Sequence, residues 1–275
     1  MNVKDTRHMP TWITTRIGDG EQQATGFFIQ KLRPGYSDGD VRAIENVWLV
    51  TNRHVVLPNM EGKEILVDEL LFRLWNEAKG RVRWLPLRMP REMVLRECRV
   101  HHDPRIDIAV LHVSEIFLDE VIGKANWVAW YALNLEDLLM EKWFTAEVGD
   151  DVLIFGHNVG DYDRDYGSVI VTHVMRRGKI ATQYGMPFEG LPRFLVRAKS
   201  FPDSSGSVVI SNPSQSELRE SELELTGTKQ FTLLGVYSSP PFPEREPGTI
   251  LNGGVVWYSK LIPEIISNGV PISAK

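Results

Sequence analysis

The stretch that most constrains this chain is Phe201-Pro-Asp-Ser-Ser-Gly-Ser-Val-Val-Ile210. A small polar turn, Asp203 to Ser207, runs straight into an apolar, β-branched run. That combination presents one hydroxyl on a tight loop anchored to a strand. Gly206, directly after Ser205, lets the backbone turn sharply and keeps side-chain bulk away from an approaching carbonyl. Ser205 is the candidate nucleophile. Ser204 and Ser207 compete with it, but neither is followed by glycine. A serine hydroxyl attacks only when a base takes its proton and an acid orients that base, so the chain must supply a histidine and a carboxylate elsewhere.

The rest of the sequence narrows the setting. With 275 residues, 43% of them hydrophobic, the chain can bury one large core or two smaller ones. A net charge of −5 argues against a dispersed nucleic-acid footprint. The Arg-rich stretch 73–99 is interleaved with Trp, Leu and Val and reads as exposed strand faces. No apolar run approaches the ~18 residues that span a bilayer, and Met1 to His8 has no signal-peptide pattern. The single cysteine, Cys98, allows no internal disulfide and reads as a small buried hydrophobe. A cytoplasmic protein with no nucleic-acid or membrane partner is expected.

Strand patterns dominate. Residues 1–20 carry no strong period. Thr25–Leu32 and Val47–Asn52 read as strands, the second ending in Arg53-His54, where Pro58 discourages a long helix. Shorter patterns follow at 70–75, 83–87 and 93–100. Asp107 opens the apolar run Ile108–Val113. Residues 114–147 break the rhythm, and 133–142 have helical spacing. Strands resume at 151–156, 168–174, 178–182, 193–197, 206–210, 231–238 and 254–258. A polar, Glu-rich segment lies at 212–229, and 260–266 suggests a terminal helix. Many short strands between turn signals predict sandwiches or barrels, and the break at 114–147 predicts two.

His54, Asp107 and Ser205 each fall at a strand–turn junction, two in the first β unit and one in the second. Such a set suits a groove between the units. His54 would take the Ser205 proton, Asp107 would fix the His54 tautomer, and turn N–H groups before Ser205 would hold the oxyanion. Asp103 is a weaker orienting acid because it precedes Pro104 in a turn. His101 and His102 resemble a zinc pair, but no cysteine or carboxylate cluster at ligand spacing completes it, so both are read as surface residues. The eight tryptophans read as core and rim packing.

Thr25-Gly-Phe-Phe-Ile, Leu49-Val-Thr-Asn-Arg-His54-Val-Val, Arg105-Ile-Asp107-Ile-Ala-Val-Leu and Asp203-Ser-Ser205-Gly-Ser-Val-Val together resemble the chymotrypsin-like serine peptidase superfamily, nearest its bacterial, heat-shock-protease-like branch. Gly149–Gly156, Gly178-Lys-Ile and Leu234–Ser238 add to the likeness, which covers roughly residues 22–266.

The resemblance implies an all-β fold of two antiparallel six-stranded β-barrels with a helical connector and a C-terminal helix. The first barrel would span 15–125, the connector 126–147 and the second barrel 148–275, with no PDZ-type domain. It implies hydrolysis of peptide bonds through an acyl-enzyme, on a protein or peptide substrate, with no cofactor and no metal. Catalytic roles fall to His54, Asp107 and Ser205, and oxyanion N–H groups to Asp203 and Ser205. Lys199 would lie near the base of the specificity pocket, favouring acidic side chains, with Ser238, Ser239 and Pro240 along its wall. The family's usual glycine two positions before the nucleophile is Asp203 here. That departure motivates the alternative: a catalytically impaired or partner-activated scaffold of the same fold that binds protein partners. A further alternative is an interaction protein working through the acidic loop 212–229.

Overall fold

The computed structural model describes residues 9–35, 43–78, 81–120, 128–139, 146–163, 168–199, 203–212, 231–238 and 253–272. In chain order the strands of the first half are β1 (Pro10–Ile17), β2 (Gly20–Leu32), β3 (Ile44–Thr51), β4 (Asn59–Met60), β5 (Lys63–Glu64), β6 (Glu69–Ala78), β7 (Arg81–Pro90), β8 (Cys98–Val100), β9 (Ala109–His112), β10 (Val128–Ala129) and β11 (Ala132–Asn134). Short helices interrupt them: α1 (Arg53–Val56), α2 (Arg91–Glu97), α3 (Ser114–Leu118) and α4 (Leu135–Leu139). The second half holds β12 (Asp151–Asp163), β13 (Ser168–Ile180), β14 (Arg193–Arg197), β15 (Val208–Ser211), β16 (Leu233–Ser238) and β17 (Gly253–Tyr258). A helix, Leu261–Asn268, and β18 (Val270–Pro271) follow. Among the described residues no helix is long and apolar enough to cross a membrane.

Strand β1 is a correction to the sequence reading, which saw no period before residue 20. Its threonines look polar but are β-branched and fit a pleated surface. Thr11, Thr14 and Thr15 are buried, and Thr11 Oγ1 donates to Arg73 O at 2.7 Å. Ile17 pairs with Gly20, leaving the two-residue turn Gly18-Asp19. Gly18 has φ 54°, and a glycine in the first position with positive φ suits a hairpin turn of the II′ kind.

Residues 93–100, expected as a strand, divide into α2 and β8. Arg91, Glu92, Met93, Leu95 and Arg96 are good helix formers, and Pro90 enters in an extended conformation just before the first turn. The expected helix over 133–142 begins later, and its last three positions lie outside the described residues. Residues 132–134 form β11, parallel to β2, before α4 begins.

The second half closes into a six-stranded barrel in the order β12-β13-β14-β17-β16-β15. The first half does not close among the described residues. Its strands run β10-β6-β1-β2-β3-β9-β8-β18, with β7 on β6. Closure would need β7 to pair with β8, but α2 lies between them in the chain and β18 takes an edge of β8. Of the two barrels expected, the described residues close one, and the strands of the first half form a single sheet.

What positions the site is the core between the halves. Phe27, Ile29, Val50, Ile108 and Val110 of the first half pack with Phe155, Val208, Ile210, Val236 and Trp257 of the second. Each is almost wholly buried, and burying such a side chain contributes about 1.5–3 kcal/mol. Separate cores fill each half, around Phe72, Leu74 and Phe117 in the first and Phe194, Val209 and Val256 in the second. The strands next to His54, Asp107 and Ser205, which are β3, β9 and β15, all border the shared core.

Candidate active site

His54 is the second residue of α1, a single turn directly after β3. Asp107 lies two residues before β9, which pairs with β3. The ladder between those strands brings the two side chains together. His54 Nδ1 donates to Asp107 Oδ2 at 2.8 Å, and the His54 backbone N–H donates to Asp107 Oδ1 at 2.9 Å. Asn52 Nδ2 holds the Asp107 carbonyl at 2.8 Å. With its proton on Nδ1, His54 keeps the Nε2 lone pair as a base. Burial pushes the imidazolium down, but the hydrogen bond and charge of Asp107 outweigh it, and the His54 pKa ends above its ordinary 6.5.

Ser238 supplies a third donor, its hydroxyl giving to Asp107 Oδ2 at 2.7 Å. It is buried, at the end of β16. The sequence reading set Ser238 along the wall of the pocket. Its side chain turns to the carboxylate, which leaves its backbone for that wall. Ser239 and Pro240 lie outside the described residues, as does the acidic segment from 213 to 229. Lys199 is exposed, and its carbonyl accepts from Arg176 Nη1 at 3.5 Å.

The loop of the candidate nucleophile, Asp203 to Ser207, enters from the second half. Ser204 and Ser207 are fully buried, while Ser205 is partly accessible, which removes its two competitors. Gly206 has φ 86°, and a Cβ there would drive into the Thr25 carbonyl and the Thr51 hydroxyl. Asp203 has φ 66°. A left-handed conformation costs a non-glycine residue about 1–2 kcal/mol, less for Asp than for most. Its half-buried carboxyl is raised above the ordinary 3.8 by loss of hydration. Ser204 O accepts from Ser207 N–H at 3.1 Å. Because the peptide is planar and trans, the Ser205 N–H points the opposite way. Among the described residues neither the Asp203 nor the Ser205 N–H has a hydrogen-bond partner, and no hydrogen bond joins Ser205 Oγ to His54.

The loop is nonetheless fixed to the half that carries His54. Thr25 N–H donates to Ser205 O at 2.9 Å, and Thr25 Oγ1 to Asp203 O at 3.0 Å. Gly206 N–H donates to Tyr237 O, one residue before Ser238. Sequence reasoning missed Thr25, because its partners lie about 180 positions away and its own strand gives no sign of them.

His101 needs a correction too, while His102 is exposed as expected. Helix Leu261–Asn268 brings Glu264 to them, supplying the carboxylate that local spacing did not show. His101 is buried, its Nδ1 accepting from Asp103 N–H at 2.9 Å and its Nε2 meeting Glu264 Oε1 at 3.1 Å. The Asp103 N–H keeps the His101 proton on Nε2, so that nitrogen donates to Glu264 and has no lone pair for a cation. The His101–Glu264 pair reads as a tie between helix and loop.

No family model matches the chain, and no curated protein matches it. Several solved protease structures are similar. The Rv3671c protease of M. tuberculosis in its active form is 15% identical, with a TM-score of 0.46 over 99% of this chain and 86% of that one. The catalytically inactive tobacco etch virus protease with substrate is 10% identical, with a TM-score of 0.47 over 100% and 91%. The serine endoprotease from Yersinia pestis is 14% identical, with a TM-score of 0.47 over 96% and 64%.

Proposed function

We propose that the chain is a serine endopeptidase of chymotrypsin-like type. The observation that carries this reading is the His54–Asp107 pair. One carboxylate oxygen orients the ring, the other holds the backbone N–H of the same residue, and Nε2 is left as a base, beside a loop whose only accessible serine precedes a left-handed glycine. In the reaction Ser205 Oγ attacks the scissile carbonyl carbon while His54 Nε2 takes the hydroxyl proton. The Asp203 and Ser205 N–H groups receive the oxyanion. His54 returns the proton to the leaving amine as the C–N bond breaks. A water then repeats the sequence on the acyl-enzyme, with His54 again as base. Asp107, held by Ser238, keeps the tautomer and stabilises the imidazolium. Lys199 favours an acidic substrate side chain, and the Ser238 backbone pairs with the peptide. The functional division is 15–125 for the half with His54 and Asp107, 126–147 for the connector and 148–275 for the half with Ser205, in a cytoplasmic protein.

A fluorophosphonate probe tests this. Labelling that vanishes in Ser205→Ala supports the peptidase, and no labelling under any condition supports the scaffold. One observation favours a second reading, an enzyme latent until a partner binds: Ser205 Oγ and His54 are not hydrogen-bonded. Catalytic hydrogen bonds are often long before substrate arrives, so the latent form predicts labelling only after a partner protein is added.

A further inference from the structure

Thr25 uses every polar atom it has. It lies in β2, wholly buried. Its N–H gives to Ser205 O at 2.9 Å, and its carbonyl accepts from Thr51 Oγ1 at 2.8 Å. Its hydroxyl donates to Asp203 O at 3.0 Å while accepting the backbone N–H of His157 at 3.1 Å. One side chain thus joins the first half, the nucleophile loop and barrel strand β12. Only a hydroxyl can donate and accept at that one point, and a valine of the same shape can do neither.

The bond to Asp203 O is the one with a chemical consequence. Asp203 stands where glycine would turn freely, yet holds φ 66°. A strained backbone conformation persists only where its surroundings over-determine it. Thr25 fixes the carbonyls of both Asp203 and Ser205, the two residues whose N–H groups face the oxyanion in the reaction above. We propose that Thr25 is a positioning residue for the oxyanion hole, its hydroxyl holding Asp203 in the left-handed conformation that a glycine would adopt unaided. This rests on the peptidase reading and names the device that makes an aspartate compatible with it.

The test compares Thr25→Val, Thr25→Ser and the double variant Thr25→Val with Asp203→Gly. Loss of one oxyanion donor lowers kcat about 100- to 1,000-fold, so T25V is expected to fall into that range in kcat and in fluorophosphonate labelling rate, with KM little changed. T25S keeps the hydroxyl and restores the rate. The added D203G also restores it, because glycine needs no clamp. A T25V enzyme at wild-type rate, or a double variant no faster than T25V, overturns the proposal. If T25V does not fold, T25A in the D203G background takes its place: loss of more than about tenfold relative to D203G alone would overturn the proposal, since the hydroxyl would then be acting other than through Asp203. Failure of the peptidase reading looks different. The wild type is then neither labelled nor active, and crystal structures of wild type and T25V still decide, with Asp203 leaving positive φ in the variant supporting the clamp and Asp203 keeping it overturning the clamp.

Discussion

Asp107 grips His54 twice, one carboxylate oxygen on the ring Nδ1 and the other on the backbone N–H of the same residue. Ring and main chain are thereby fixed together, so a change at Asp107 alters both the charge beside the imidazole and its aim.

Asp107→Asn tests that double role. Asparagine fills the same space but presents an amide, which favours the wrong tautomer. Turnover is expected to fall about 1,000- to 10,000-fold. His54→Ala and Ser205→Ala should abolish it, both with near-native circular dichroism and melting temperature. Retained activity in any of them would remove that residue from the mechanism.

The acid limb of kcat/KM follows from the raised His54 pKa. The base must be neutral, so activity is lost as pH falls through that value, and the limb should lie above 6.5. Asp107→Asn removes the charge that raises it, and the limb of the residual activity should move down. The stability term has the opposite sense. It is fully present below the unfolded histidine's value and is lost as pH rises through the folded one.

Ser238→Ala removes one of three donors to the Asp107 carboxylate. A hydrogen bond to a charged group contributes about 1.5–3 kcal/mol, and kcat/KM should drop about tenfold or more with KM little changed. A change confined to KM would return Ser238 to a substrate-binding role.

Asp203→Gly should raise both stability and labelling rate, since it removes a strained backbone and a poorly hydrated carboxylate. The folded protein raises this pKa, so the charged form opposes folding. The stability gap between variant and wild type should therefore widen as pH rises above 3.8 and level off above the folded value. A gap that narrows with rising pH would contradict this.

Cys98 is fully buried, and burial pushes its thiol up to about 12. Iodoacetamide at pH 8 should leave it untouched in the native protein and alkylate it in denaturant. Mass spectrometry of the two samples reads the difference.

Where a segment's own residues set its shape, it was legible. β2, β3, β9 and β15 announced themselves by β-branched runs, and the His54, Asp107 and Ser205 turns by what flanks those runs. Segments decided by distant partners were not. β1 looked like a polar tail because the strands that bury its threonines come later in the chain. Met93, Val94 and Leu95 are as apolar in one turn of α2 as they would be in a strand. Glu264 beside His101, Ser238 on Asp107 and the Thr25 hydroxyl on Asp203 join residues more than 130 positions apart, and no local pattern encodes such a meeting.

The two-residue strand Val270–Pro271 lies along Cys98–Val100, just upstream of the turn that carries Asp107, and Glu264 reaches His101 in the same corner. During synthesis the ribosome emits the acid-bearing turn some 160 residues before the segments that brace it. The half with His54 and Asp107 can therefore not settle co-translationally into its finished form. The last braces on that corner form only once residues 264–271 have been made.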